Sequence, residues 1–280
     1  MNIYGRVSVL MARFAGLSYA PTAAPVPRYL RELERVSREF DAETGRQFYG
    51  RVATQYHAWT GNAAVHDRRW LVLYQDLAAV SAVDVDDDGD GVYELSLVEG
   101  TDYIAGPENR LPDRPISALY LLPTGTQLTW WPTARRSVRI TGTWGYSAET
   151  EATGTLLNGA INSSQTSITV DDGSAVDVGE TIVIDAEQCA VEDIATNTLV
   201  VVRGINGTTA ASHADNAVVS RRRYPRDIEE AVVDRAAALI WRAQDVIEGP
   251  AEPHLSMRPG YAAWRRTVER YRVLPVAGVA

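Results

Sequence analysis

The densest chemistry in this 280-residue chain is the run Asp84-Val85-Asp86-Asp87-Asp88-Gly89-Asp90-Gly91, where carboxylates at alternate positions precede glycine, as at the opening of a calcium loop. Such a loop between helices closes with a bidentate carboxylate at its twelfth position. Counted from Asp84 that position is Leu95, and from Asp86 it is Leu97. The flanking residues alternate as strands do, so the run reads as an acidic β-turn, with no metal and no cofactor expected. Four histidines, His57, His66, His213 and His254, are scattered with no Cys or acidic partner at ligand spacing, and surface or capping roles are expected of them. The chain lacks Gly-x-Ser-x-Gly, the phosphate-binding Gly-x-x-x-x-Gly-Lys, His-Glu-x-x-His and Cys-x-x-Cys. No catalytic residue is identified, and the protein is not expected to be an enzyme.

Two basic clusters remain, Arg221-Arg222-Arg223 and Arg265-Arg266 with Arg270 and Arg272. They read either as a solvated face paired to the acidic remainder or as a surface for protein partners. Arg265, Arg266, Arg270, Tyr271 and Arg272, followed by the apolar Leu274, Pro275 and Val276, form the candidate interface, because an apolar terminal segment can add to a partner. Trp130-Trp131, beside Pro132, could form a carbohydrate platform, but packing in a core or between subunits is the expectation.

These side chains sit in a chain that is 45% apolar and carries a net charge of -9, with pI near 5.0. It can bury a sizeable core, its length suggests two compact parts, and as a whole it would repel phosphate, which excludes a general DNA coat. All 27 basic residues are arginine; a GC-rich coding sequence accounts for that as simply as bidentate pairing does. The lone Cys189 excludes an intrachain disulfide and lies in an apolar, strand-like run. Residues 1–20 show neither a continuous apolar core nor a cleavage site, and no apolar run approaches the roughly 20 residues that span a bilayer. Neither secretion nor membrane insertion is expected.

Periodicity supplies the elements. Val7, Met11 and Phe14 suggest a short helix, and Tyr29, Leu33, Val36 and Phe40 place a second over 28–48, ending near Gly45. From 51 to 146 the period becomes two, with strands at 70–74, 80–85, 93–98, 103–104, 119–122 and 138–141. A second β-rich stretch follows, with strands at 167–170, 181–184, 189–194, 199–202 and 217–219 and turns at Asp171-Asp172-Gly173 and Asn206-Gly207. Helical spacing returns at Pro225 through Ile228, Val232, Leu239, Ala243 and Val246, and again from Tyr261 through Trp264 and Val268 to Tyr271. The fold class is α+β: a helical core from both ends of the chain, an antiparallel β-module, and a second, inserted β-barrel or sandwich. The expected parts are N-terminal helices 1–50, a β-module 51–150, an inserted β-domain 151–222, C-terminal helices 223–272 completing the helical core, and a tail 273–280. Deleting 151–222 would join Trp144-Gly145-Tyr146 almost directly to Tyr224-Pro225-Arg226-Asp227-Ile228, and the ends of an inserted domain should lie together.

Six segments in order and spacing resemble the head-tail connector, or adaptor, proteins of long-tailed bacteriophages. They are Phe40-Asp41-Ala42-Glu43-Thr44-Gly45-Arg46-Gln47-Phe48-Tyr49, Trp70-Leu71-Val72-Leu73, the acidic hairpin before Tyr93, Thr101-Asp102-Tyr103-Ile104, Val138-Arg139-Ile140-Thr141-Gly142-Thr143-Trp144-Gly145-Tyr146, and Tyr224-Pro225-Arg226-Asp227-Ile228. The inserted stretch, with Arg203-Gly204-Ile205-Asn206-Gly207-Thr208-Thr209 and His213, is similar to small β-modules of other phage virion proteins. The resemblance implies a virion neck protein, assembled in the host cytoplasm: a ring of twelve identical subunits beneath the portal protein, extending the DNA channel without sequence-specific DNA contacts and carrying the next neck or tail protein. The Arg265 to Val276 set would then bind the portal or a neighbouring subunit. The competing reading is a tail-associated adhesion or baseplate protein, motivated by the inserted module and the tryptophan pair.

Overall fold

The computed structural model describes residues 2–14, 26–61, 67–111, 114–125, 127–248 and 258–273, without the side chains of 242–248 and 258–260. Among them are four α-helices and two six-stranded antiparallel sheets, so the fold is α+β. Contacts divide the chain into two compact units, one made of residues 1–46 and 149–280, the other of 47–148. The helices and the second sheet therefore share a unit, and the first sheet stands as the other.

In the first unit α1 (Val7–Ala12), α2 (Val26–Thr44), α3 (Arg226–Glu248) and α4 (Arg258–Tyr271) pack through aromatic and aliphatic stripes. Tyr29, Leu33, Val36 and Phe40 are all buried on α2, as their spacing requires. Phe40 meets the edge of Trp264 at 5.2 Å and of Tyr271 at 6.5 Å, which locks α2 to α4. The helix ends at Thr44 because Gly45 takes φ +70°, where its N–H reaches the Asp41 carbonyl at 2.8 Å. On α3 the buried stripe runs Ile228, Val232, Ala236, Ile240, with Leu239 half-buried at its edge. The expected Ala243 and Val246 lie outside the described side chains.

The second sheet has the order β7-β12-β9-β10-β11-β8, built from β7 (Thr150–Leu156), β8 (Ser167–Thr169), β9 (Thr181–Ile184), β10 (Glu187–Ala195), β11 (Thr198–Val202) and β12 (Val218–Arg222). Its core is Ile168, Ile182, Ile184, Cys189, Val191, Leu199 and Val219, with Leu157 and Val170. The outer strands approach only through a bridge between Leu157 and Val170, so this sheet is not a closed barrel. Strand β7 escaped the sequence reading because Thr150-Glu151-Ala152-Thr153-Gly154 is polar and mostly exposed, as an edge strand should be. It pairs with β12 so that Thr150 faces Arg222, and the Arg223 N–H donates to the Glu149 carbonyl at 3.0 Å. Entry to and exit from residues 150–222 are thus adjacent.

In the other unit the order is β1-β6-β2-β5-β4 with β3 on β2, from β1 (Arg51–His57), β2 (Trp70–Val85), β3 (Leu95–Leu97), β4 (Tyr103–Gly106), β5 (Ile116–Leu121) and β6 (Val138–Trp144). The two strands read at 70–74 and 80–85 are one strand of 16 residues. Its first part pairs with β5 and the rest with β6, through bulges between Leu77 and Ala79 and between Val80 and Ala82. A bulge breaks the alternation without ending the strand. At the first bulge the backbones crowd, and a Cβ on Gly142 would stand 2.3 Å from the Ala79 carbonyl oxygen. Gly142→Ala should destabilise this unit by about 1–3 kcal/mol, read as a lower urea midpoint by tryptophan fluorescence with the far-ultraviolet signature of the second sheet retained.

Candidate functional site

The candidate interface starts on α4. Arg265 and Arg266 are exposed, and Arg265 makes only a loose 4.0 Å pair with Glu269 one turn on. Arg270 is instead held by Asp227 at the start of α3, at 2.6 Å, and Tyr271 is buried with its hydroxyl donating to the same carboxylate at 3.0 Å. Arg272 donates through Nε to the Glu43 carbonyl at 3.1 Å, Arg46 to the Tyr271 carbonyl at 2.6 Å, and the Val273 N–H to the Thr44 carbonyl at 2.8 Å. The end of α4 is therefore fastened to the end of α2 and the start of α3. Of the eight residues in the set, Arg265 and Arg266 present the least engaged guanidinium groups; Leu274, Pro275 and Val276 lie outside the described residues.

In the other arginine cluster Arg221 and Arg222 are engaged internally, and Arg223 is exposed. Arg221 pairs with Glu180 at 2.9 Å with both side chains largely buried, and Arg222 donates to Gln188 at 3.3 Å. Arg221, Arg222 and Glu180 line a cleft of about 470 Å³ in the first unit, together with Arg6, Tyr224 and Glu229. Burial raises the carboxyls of Glu180 and Glu229, and it lowers the Arg222 guanidinium. Mixed charge of this kind holds elements together more readily than it selects a ligand.

His213 departs from the sequence expectation of a surface or capping residue without acidic partners. It is buried, with Nδ1 2.6 Å from Asp185 Oδ2 and Nε2 2.9 Å from Glu187 Oε2. Those partners stand 28 and 26 residues away, beyond any ligand-spacing rule. Glu187, 1% exposed, accepts from Arg203 Nε at 2.6 Å and Nη2 at 2.7 Å, from the N–H of Gly204 at 3.0 Å and of Ala211 at 2.9 Å, and from the Cys189 thiol at 3.4 Å. Burial alone would raise this carboxyl, but the Arg203 guanidinium and the donors from Ala211 and His213 prevail and hold it at about 2. The same burial, with Glu187 beside it, pushes the Cys189 thiol up to about 12, far from the thiolate a nucleophile needs. The alternation Asp185, Glu187, Cys189 was the one sequence signal of this cluster.

The acidic hairpin joins β2 to β3. Asp86 is buried and accepts from the Gly89 N–H at 2.6 Å and the Gly91 N–H at 2.9 Å, while Asp88 and Asp90 accept from Asp90 and Val92. Side-chain oxygens of Asp86, Asp88 and Glu94 lie within 4.8 Å of one another, and these three residues could hold a metal ion. The twelve-position count missed Glu94, because a hairpin brings the chain back sooner than a helix does. The tryptophan pair splits: Trp131 is fully buried and donates to the Arg69 carbonyl at 2.7 Å, leaving Trp130, 43% exposed, under the Arg69 guanidinium at 5.2 Å. One ring does not make a two-ring sugar platform.

No protein-family model and no curated protein matches the chain. A solved structure, the neck of an empty GTA particle computed with C6 symmetry, aligns over 97% of this chain and 91% of its own at 16% identity, with a TM-score of 0.41. A likeness that distant carries neither fold nor function across. Among the described residues no helix is long and apolar enough to cross a membrane.

Because the Glu187 carboxyl lies near 2 when folded against about 4.5 when free, its contribution is fully present above pH ~4.5 and is lost as pH falls toward 2. Glu187→Gln should remove that dependence and, by leaving Arg203 buried without its counter-charge, cost about 3–5 kcal/mol at neutral pH. Hydrogen exchange of β9 to β12 measured between pH 7 and pH 3.5 checks both.

Proposed function

We propose that the chain is a non-catalytic structural subunit of a tailed-phage neck: a head-tail connector that assembles into a ring beneath the portal, extends the DNA channel and carries the next neck or tail protein. The observation that carries this reading is the register of the six connector-like segments on both sides of residues 150–222. Adjacent entry and exit of that stretch, through the β7–β12 pairing, supports treating it as an insertion that leaves the register intact. Trp144-Gly145-Tyr146 and Tyr224-Pro225-Arg226-Asp227-Ile228 then stand at the ends of one interrupted framework.

The proposed portal-facing or subunit-facing surface is Arg265 and Arg266 with the tail beyond Val273, since Arg270 and Arg272 are tied to α3 and α2. A net charge of -9 suits a channel wall that must let DNA slide instead of gripping it. Twelve copies, matching the portal, is the proposed stoichiometry.

Electron microscopy of particles should place the protein in a closed ring between head and tail; finding it only at the tail tip would sink the reading in favour of the adhesion or baseplate alternative. A chain ending at Val273 keeps the bond to Thr44 and should fold normally yet attach poorly to the portal in a co-sedimentation assay, with wild-type attachment showing the tail to be incidental.

A further inference from the structure

We propose that the hairpin from Asp86 to Glu94 binds a hard divalent cation, calcium foremost, with Asp86, Asp88 and Glu94 as its carboxylate ligands. Oxygens bonded to one calcium ion at 2.3–2.6 Å can stand up to about 5 Å apart, and the three side chains bring oxygens within 4.8 Å. An all-oxygen ligand set selects calcium or magnesium over softer metals, and a loop turned by Gly89 at φ +88° and Gly91 at φ +93° suits the less exacting geometry of calcium. Asp86 spends one lone pair on each glycine N–H and keeps the others.

A second, separate observation comes from the neighbouring strand. Ser137 is completely buried, and its hydroxyl has no hydrogen-bond partner among the described residues. Its carbonyl accepts the Asp86 N–H at 2.8 Å, one step beyond the Val85–Val138 pair of the ladder. Directly opposed residues of an antiparallel pair stand on the same face, so Ser137 shares the face of Asp86. The hairpin folds over this segment, with the Tyr93 hydroxyl donating to the Arg136 carbonyl at 2.6 Å and Gly89 packed toward Ala134. A buried hydroxyl without a partner is costly, and an ion bound on this face, or its water, would supply that partner. Charge argues the same way. Asp86, Asp87, Asp88, Asp90 and Glu94 crowd nine residues without a base, and Arg139 on the facing strand is committed to Asp84 at 3.1 Å.

Calorimetric titration of the chelator-treated full chain with calcium chloride tests the proposal. One site per chain with a Kd below about 1 mM is expected, and Asp88→Asn and Glu94→Gln, both at exposed positions, should each weaken binding at least about tenfold. No heat at millimolar calcium, or variants that bind like the wild type, would overturn it. Magnesium displacing calcium at equal concentration would overturn the choice of ion.

Discussion

A carboxylate sealed into a β-sheet stays ionised only if donors replace the water it has lost, and Glu187 meets that condition with Arg203, two backbone N–H groups, His213 and the Cys189 thiol. Satisfying it dictates the path of residues 203–213, which must bend back over β10 to bring those donors in. The bend carries Asn206 to Asn2, and the two amides exchange hydrogen bonds at 2.9 Å. Asn2 also accepts from Thr181 on β9 at 3.2 Å, while its carbonyl takes Arg38 of α2 at 2.8 Å. One buried charge thereby ties the second sheet to the helices of the first unit.

Close approach does the rest of the fastening. Gly179 lies so near Leu30 and Ile3 that a Cβ there would stand 2.3 Å from the Leu30 side chain. Across the helices, a buried polar cluster of Tyr4, Ser37 and Asp41 complements the aromatic contacts of Phe40. Desolvation lifts the Asp41 carboxyl to about 6 despite Arg38 and the Tyr4 hydroxyl, so this contribution is greatest in acid and fades as pH rises through 6, opposite in sign to that of Glu187.

The same ledger of charges bears on function. A chain with 27 arginines and no lysine uses many of them as struts: Arg203 on Glu187, Arg221 on Glu180, Arg235 on Glu39, Arg139 on Asp84. Planar guanidinium groups suit partly buried pairs better than ammonium groups do. Arginines paired in this way brace the fold and are not free to grip nucleic acid.

The sequence by itself determined the α+β class, the apolar stripe of α2, the cap at Gly45, and the strands whose alternation is unbroken, because those depend on neighbours within one turn or one strand. It also marked the acidic hairpin. Tertiary structure alone decided that 70–85 is one bulged strand, that polar Thr150 to Leu156 is an edge, and that Trp131 is core while Trp130 is not. It alone brought His213 to Glu187 and Glu94 to Asp86. Pairing across 26 residues, or across a turn of unknown length, is fixed by how backbones meet in space, and no local period records it.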